Sequence, residues 1–383
     1  MERLRGAGFA AYFAGGCVRD ELLGRTPKDW DIATDAAPED VARLFARTVP
    51  VGAQFGIVRV IHDGEELEVA RFRGDGPEAD ARGRDFTVNA MLYDPVADEL
   101  LDVVGGREDL AARVLRATGD AEARFGEDWL RVLRAARLAA ELELAIAPGT
   151  WAAMVGRAAE VMATSPERRR DEIEKMLTRG HGAVALRWLA DIGLLAHLLP
   201  EVAGDGVEDD VEGLGARLDA LGPCPAEVAW AAVLVSRGVS DPEAAAEGLA
   251  ERLRLARRLA RDAGRAAARA REIAGWEERG VAARKRWLRD DVAEAALALA
   301  AAMVAASELP ERALAAVLAD RDRWDDAALS PPALVTGQDL IAAGLRPGPR
   351  FKALLDAVED ATLEGRVTTR DEAVALATEL AAS

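Results

Sequence analysis

The chain has 383 residues and a mass of 40.7 kDa, is half hydrophobic and carries a formal net charge of −18. That hydrophobic content excludes disorder, and at about 100–200 residues per domain it predicts two to four domains. Two cysteines, Cys17 and Cys224, and three dispersed histidines (His62, His181, His197) exclude a disulfide scaffold, a four-Cys zinc site and an HExxH centre.

Ala is abundant and aromatics are only 5%, so a mostly helical chain is expected. The longest apolar run, Ala295–Ala306, falls short of the about 20 residues that span a bilayer. Arg3 and Arg5 followed by a glycine-rich stretch to Cys17 faintly imitate a lipoprotein signal, but Val18-Arg19-Asp20 follows at once. A cytoplasmic protein without membrane contact is the expectation.

In chain order, short apolar runs predict strands at Ala11–Ala14, Trp30–Ala33, Ile57–Ile61, Leu67–Phe72 and Leu100–Val103. Helical segments fall between them at 18–23 and 39–46, the second opened by Pro38-Glu39-Asp40. Tyr93 to Asp98 suits a turn between strands. Beyond about residue 116 the apolar spacing is three and four, and Pro or Gly breakers at 148–149, 200, 222–223, 331–332 and 347–349 divide a long helical region.

Several polar clusters interrupt this pattern. Gly15-Gly16-Cys17-Val18-Arg19-Asp20 follows a predicted strand and opens a predicted helix. Glycines let backbone approach phosphate oxygens, and Arg19 adds a fixed charge; an ordinary tight turn is the plainer reading. In Asp29-Trp30-Asp31, two carboxylates share one face of a predicted strand. Their repulsion is relieved by a cation, and Mg2+ takes one or two carboxylates plus phosphate oxygens. Glu68 on a neighbouring strand could bring a third.

Arg84-Asp85-Phe86-Thr87-Val88-Asn89 places Asp85 and Asn89 four apart, on one face of a helix if the segment is helical, where they could bind a ribose or merely cap the helix. Asp128, Arg131, Arg134 and Arg137 recur at intervals of three, as a ridge able to read the edge of a base or as a salt-bridge ladder. Residues 201–250 hold 11 acidic and 2 basic residues, whereas 251–300 hold 8 acidic and 13 basic. On charge alone the second stretch reads as a solvated Arg-rich helix paired with nearby acids.

Together these segments resemble the class II tRNA nucleotidyltransferases, within the polymerase-β-like nucleotidyltransferase superfamily, which includes CCA-adding, CC-adding and A-adding enzymes and bacterial poly(A) polymerases. The resemblance runs through GGCVRDELLGRTPKDWDIATDA (15–36), RDFTVNAMLYDP (84–95), DVVGGREDL (102–110), EDWLRVLRAARLAAEL (127–142) and SPERRRDEIEKML (165–177), with a weaker stretch at 334–351. It implies an α+β chain: a nucleotidyltransferase head with a small mixed sheet (1–115), then an all-helical neck that recognises the base (116–195), body (196–305) and tail (306–383), the last two binding tRNA. It implies Asp29 and Asp31 as metal-binding catalytic carboxylates and Glu68 as the third. Gly15, Gly16 and Arg19 match triphosphate contacts. Arg84, Asp85 and Asn89 match the ribose and nucleotide motif, Asp128 and Arg131 the pair that selects the base, and Arg134 and Arg137 further nucleotide contacts. Arg254, Arg257, Arg258 and Arg261 in the basic stretch become tRNA-binding candidates.

The implied reaction is template-independent addition of cytidines to a tRNA 3′ end from CTP, with ATP also used if the full CCA is made, through two Mg2+ ions. The sequence departs from the family pattern between Arg73 and Arg84: GDGPEADARG stands where full CCA-adding relatives carry a longer flexible loop, and Gly83 stands where relatives often have a second Arg. The short connection favours an enzyme that stops after CC, with a separate A-adding enzyme in the same cell; full CCA addition is the alternative. A poly(A) polymerase is disfavoured because Val51 to Gly56 lacks GRRF-like residues. An RNA-binding-only member is disfavoured by intact Asp29, Asp31, Arg19, Asp128 and Arg131.

Overall fold

A computed structural model of the chain describes residues 1–50, 56–62, 64–202 and 207–382. The stretch 51–55, which bears on the poly(A) polymerase comparison, lies outside the described residues. The chain folds as two compact units, residues 1–176 with 184–198 and residues 177–183 with 199–383.

The first unit is built on a seven-stranded mixed sheet in the order β3-β4-β5-β2-β1-β6-β7. Its strands are β1 (Ala11–Ala14), β2 (Trp30–Thr34), β3 (Thr48–Pro50), β4 (Ile57–His62), β5 (Glu65–Arg71), β6 (Leu92–Asp94) and β7 (Glu99–Leu101). Neighbours run antiparallel except β2 and β5, which run parallel with Asp31 opposite Glu68. Side chains alternate across the strands. Ile32, Val58, Val60 and Val69 pack on one face with Leu4, Val41 and Phe45. Ala14, Ala33, Phe72 and Leu92 pack on the other, joined by Ala81. Asp31 shares the parity of Ala33, so it points to this second side.

Ala81 belongs to a short helix, Pro77–Arg82, inside the connection expected to be a trimmed loop. Pro77 fits its first turn, where a missing N–H costs nothing. Arg84 to Ala90 forms only a 3-10 turn at Thr87–Asn89, not an α-helix. The segment is pinned by Thr87 N–H to the Arg116 carbonyl and Thr118 N–H to the Asp85 carbonyl. Two short parallel strands, β8 (Val114–Leu115) and β9 (Ala145–Ile146), bracket the helix Arg131–Leu142, whose apolar stripe (Val132, Leu133, Ala135, Ala136, Ala139) is fully buried. The helix Pro166–Thr178 follows.

The second unit is helical. Gly264 allows the helix Arg257–Glu272 to lie against Pro242–Leu253, since a Cβ there would stand 2.9 Å from the Ala246 Cβ. Ala260, Ala263, Ala266, Ala267 and Ala270 complete that buried face, so the abundance of alanine serves close helix packing. Trp276 and Trp287 meet edge to face at 5.3 Å. Residues from Val335 to Ala377 enclose a separate small core. Among the described residues no helix is long and apolar enough to cross a membrane.

Candidate active site

Within the first unit a cavity of about 470 Å3 is lined by Gly15, Gly16, Asp31, Arg84, Asp85, Asn89, Asp128, Arg131 and Arg134, together with Arg73, Leu130, Arg168, Asp171, Glu172 and Lys175. Gly15 follows β1 at φ +81°, and a Cβ on it would lie 3.0 Å from Arg84 Nη1 and 3.7 Å from Asp31 Oδ2. A side chain at this position would be strained and would fill the space between the cation and the carboxylate.

Asp31 sits at the floor on β2. Burial, the Glu68 carboxylate and Asp29 together push its carboxyl up to about 6, against the opposing pull of Arg84. Glu68 lies opposite in the β2–β5 register and is half-exposed, 3.7 Å from Arg59. Asp29 does not share the strand, as the sequence had suggested: β2 begins at Trp30, and Asp29 stands exposed in the bend before it. Among the described residues no three carboxylate, thiol or imidazole groups form a closed cage. The donors are oxygens only, and a half-buried carboxyl that resists ionisation invites a cation. Both features fit Mg2+, which takes few protein ligands and keeps sites for phosphate and water.

Above this floor the arginines are set by carboxylates. Asp80, almost fully buried on the short helix, accepts from Arg84 Nε at 2.9 Å and from the Arg73 N–H at 3.0 Å. Arg19 is not in the lining: it is buried beside it, donating to Asn89 Oδ1, a lining residue, at 2.6 Å and to Asp20 at 2.7 Å. Asn89 in turn donates to Asp85 at 3.4 Å. Asp85 and Asn89 thus come together on the cavity wall, as expected, but through a 3-10 turn rather than on one face of an α-helix. Burial opposes the charge on Asp85, but Arg134, at 2.6 and 2.9 Å, and the Phe86 N–H hold its carboxyl down to about 2.

The expected ridge of Asp128, Arg131, Arg134 and Arg137 is only partly one helix. The helix begins at Arg131, and Asp128 lies in extended backbone at the end of the preceding helix, Ala121–Glu127. Asp128 and Arg131 face the same cavity; the Arg131 N–H donates to the Asp128 carbonyl at 3.0 Å, and their side chains take other partners. Arg168 donates to both oxygens of Asp128, at 3.1 and 2.6 Å. Arg131 Nη1 donates to Glu127 at 2.7 Å and to the Arg124 carbonyl at 2.5 Å. Arg137 is not in the lining: it is buried behind it, donating to Glu172 at 2.6 Å and Glu141 at 2.8 Å. Its position suits support of Glu172 and thereby of Arg134, 3.7 Å from Glu172, rather than the nucleotide contact expected from the sequence.

Arg168, Glu172 and Lys175 were not singled out from the sequence, although they lie in SPERRRDEIEKML. Glu172 is nearly fully buried among Arg134, Arg137 and Lys175, a rare state for an acid that only its environment explains.

In the second unit the basic stretch divides in two. Arg257, Arg258 and Arg261 are exposed on the first turns of their helix, the last two beside Asp262, while Arg254 caps the preceding helix at φ 55° and so does not share their face. Further along, Arg265 and Arg269 are bound to Asp290 at 2.5 and 3.0 Å.

Residues 11–116 match the poly A polymerase head domain, and residues 143–205 match a probable RNA and SrmB-binding site of polymerase A. The CCA-adding enzyme of Geobacillus stearothermophilus is 43% identical over 220 residues, covering 53% of this chain and 54% of that protein. That of Streptococcus suis (strain 05ZYH33) is 36% identical over 258 residues, 63% of each. The aligned part of the chain thus spans only about half to two thirds of these relatives. The crystal structure of the Bacillus stearothermophilus CCA-adding enzyme in complex with CTP superposes with a TM-score of 0.79 at 31% identity, covering 99% of this chain and 95% of that one. The Thermotoga maritima CCA-adding enzyme complexed with tRNA shares the fold, with a TM-score of 0.68 at 22% identity.

Proposed function

This chain belongs to the class II tRNA nucleotidyltransferases of the poly(A) polymerase family, and from that premise we propose that it adds cytidines to tRNA 3′ ends from CTP, stopping after CC. The observation that carries the reading is a single cavity holding a glycine-flanked carboxylate, Asp31, together with the acceptor Asp128 and the donor Arg131. One side suits a triphosphate and the other suits the edge of a base.

Enzymes of this family use divalent metal ions. Here Asp29 and Asp31, with Glu68 beside them, would hold Mg2+, which when bound activates the 3′-hydroxyl and offsets charge on the phosphates. The protein side of the reaction follows from the contacts above. Gly15 keeps the approach to Asp31 open. Arg84, anchored by Asp80, and Arg19, anchored by Asp20 and Asn89, stabilise triphosphate charge without reorganising. Asp85 and Asn89 hold the ribose. Asp128 accepts from the exocyclic amine of cytosine while Arg131 donates to its ring acceptors. The hydroxyl attacks the α-phosphate in line and pyrophosphate leaves, so no covalent enzyme intermediate is required.

The restriction to CC rests on the connection after β5. Six of its ten residues form a packed helix, Pro77–Arg82, with Ala81 and Asp80 buried, which suits a fixed support better than a lever that refits the pocket for ATP. The relatives' name, CCA-adding enzyme, favours the second reading, full CCA addition. Incubating tRNA that lacks its 3′ end with CTP, ATP or both separates the two. Two added residues, unchanged when ATP is supplied, are expected; a third residue with both nucleotides present would establish CCA addition instead.

A further inference from the structure

We infer that Arg124 is a specificity-positioning residue that ties the short connection Gly74–Gly83 to the base-reading arginine, Arg131. This rests on the reading of Arg131 as a base contact. Arg124 lies outside the cavity lining, yet its guanidinium joins three separate segments. Nη2 donates to the Arg82 carbonyl at 2.7 Å, Nη1 to the Gly83 carbonyl at 3.3 Å and Nε to the Thr118 carbonyl at 3.1 Å. Nη1 also reaches both oxygens of Glu127, at 2.9 and 3.0 Å. The carbonyls of Arg82 and Gly83 close a short helix and have no partner within it, so a cation is the natural group to satisfy them.

The far end of this arrangement is Arg131. One nitrogen, Nη1, is held by Glu127 and by the backbone carbonyl of Arg124 itself. Among the described residues its Nε and Nη2 make no hydrogen bond, which leaves a two-donor edge for a base. The direction of that edge is therefore fixed by Arg124 and Glu127, and Arg124 is fixed by the end of the helix Pro77–Arg82. Movement of the connection is transmitted to the base-reading group through one guanidinium. Lysine cannot reproduce this, because its point charge lacks the planar fork that spans several acceptors.

The test compares kcat/KM for CTP and UTP incorporation into tRNA lacking CCA in wild type, Arg124→Ala, Arg124→Lys, Arg131→Ala and the Arg124→Ala/Arg131→Ala double variant. A misdirected bidentate contact is expected to lower the CTP-to-UTP ratio by about tenfold in Arg124→Ala. Arg124→Lys should fall between it and wild type, and the double variant should be no less selective than Arg131→Ala, because both changes act on one contact. A uniform loss for both nucleotides with the ratio unchanged, or additive losses in the double variant, would overturn the inference. If Arg124→Ala has no thermal transition, the ratio in Arg124→Lys decides. A wild-type protein that adds no cytidine would overturn the proposed function and this inference with it; an active wild type with an unshifted ratio overturns only the inference.

Discussion

Arginine serves opposite ends in the two units. Around the cavity of the first, each functional arginine is held by a carboxylate beside it: Arg84 by Asp80, Arg134 by Asp85, Arg131 by Glu127. Along Arg257–Glu272 in the second, the carboxylates instead neutralise. Asp290 collects Arg265 and Arg269, and only the first turns of the helix present charge to solvent. Counting basic residues overlooks this difference. Around the cavity a paired arginine is oriented for use; at Asp290 a paired arginine is spent on packing.

The largest test of the first half of this comparison removes the carboxylate at the floor of that cavity. Asp31→Ala should lower cytidine incorporation by at least about 10²–10³-fold, since charge stabilisation dominates such sites. Asp29→Ala should behave similarly. Binding of tRNA, measured by filter retention, should stay near wild type in both; near-normal turnover would remove the two carboxylates from the mechanism. Arg131→Ala should act on selectivity more than on rate, at a cost of about 1–3 kcal/mol of discrimination between CTP and UTP or GTP. Unchanged nucleotide preference would make Arg131 a partner of Glu127 and nothing more.

Asp85 tests whether orientation also stabilises. Its carboxyl lies at about 2 in the folded chain, against an ordinary value of 3.8. A depressed value means that the unfolded chain binds the proton first as pH falls. The stabilisation is therefore complete above about pH 4 and is lost as pH falls toward 2, and it amounts to about 2 kcal/mol. Urea titrations of wild type and Asp85→Asn should differ by about this much at neutral pH and converge in that acid window. Parallel curves down to pH 2 would mean that Arg134 does not hold the charge.

Much of the first unit was legible because its signals are local. β1 matches the expected strand at Ala11–Ala14, and β2, β4 and β5 depart from expectation only at their ends. Gly15, Asp31, Asp128 and Arg131 meet in one cavity as the motifs implied. The errors arose where tertiary contacts overrode local pattern. The connection 74–83 reads as a Gly- and Asp-rich loop until Ala81 is packed beneath the sheet and Asp80 is paired with Arg84. The interval of three from Asp128 to Arg137 suggested one continuous ridge, but the helix starts at Arg131 and the last arginine turns away toward Glu172. In a helix as charged as Pro166–Thr178, periodicity does not say which face meets a cavity, and so Arg168 and Lys175 escaped notice.

The smallest expected effect concerns the second half of the comparison. Arg257, Arg258 and Arg261 are exposed, and the last two share one partner, Asp262. If they lie on the tRNA path, neutralising all three with glutamine should weaken tRNA binding several-fold. It should also lower the slope of log K against log salt by about two to three, since each phosphate contact contributes about 0.7–0.9. CTP affinity should not change. The informative control is Arg265→Gln with Arg269→Gln on the same helix. These arginines face Asp290, so their loss strands a carboxylate that is 8% exposed, and should lower the melting temperature while leaving the salt slope intact. Equal slopes in wild type and the triple variant would leave the exposed turns without a phosphate role. A slope reduced as much by the control pair would mean that Asp290 gives up its arginines to RNA, and that the division between orienting and neutralising pairs does not hold along this helix.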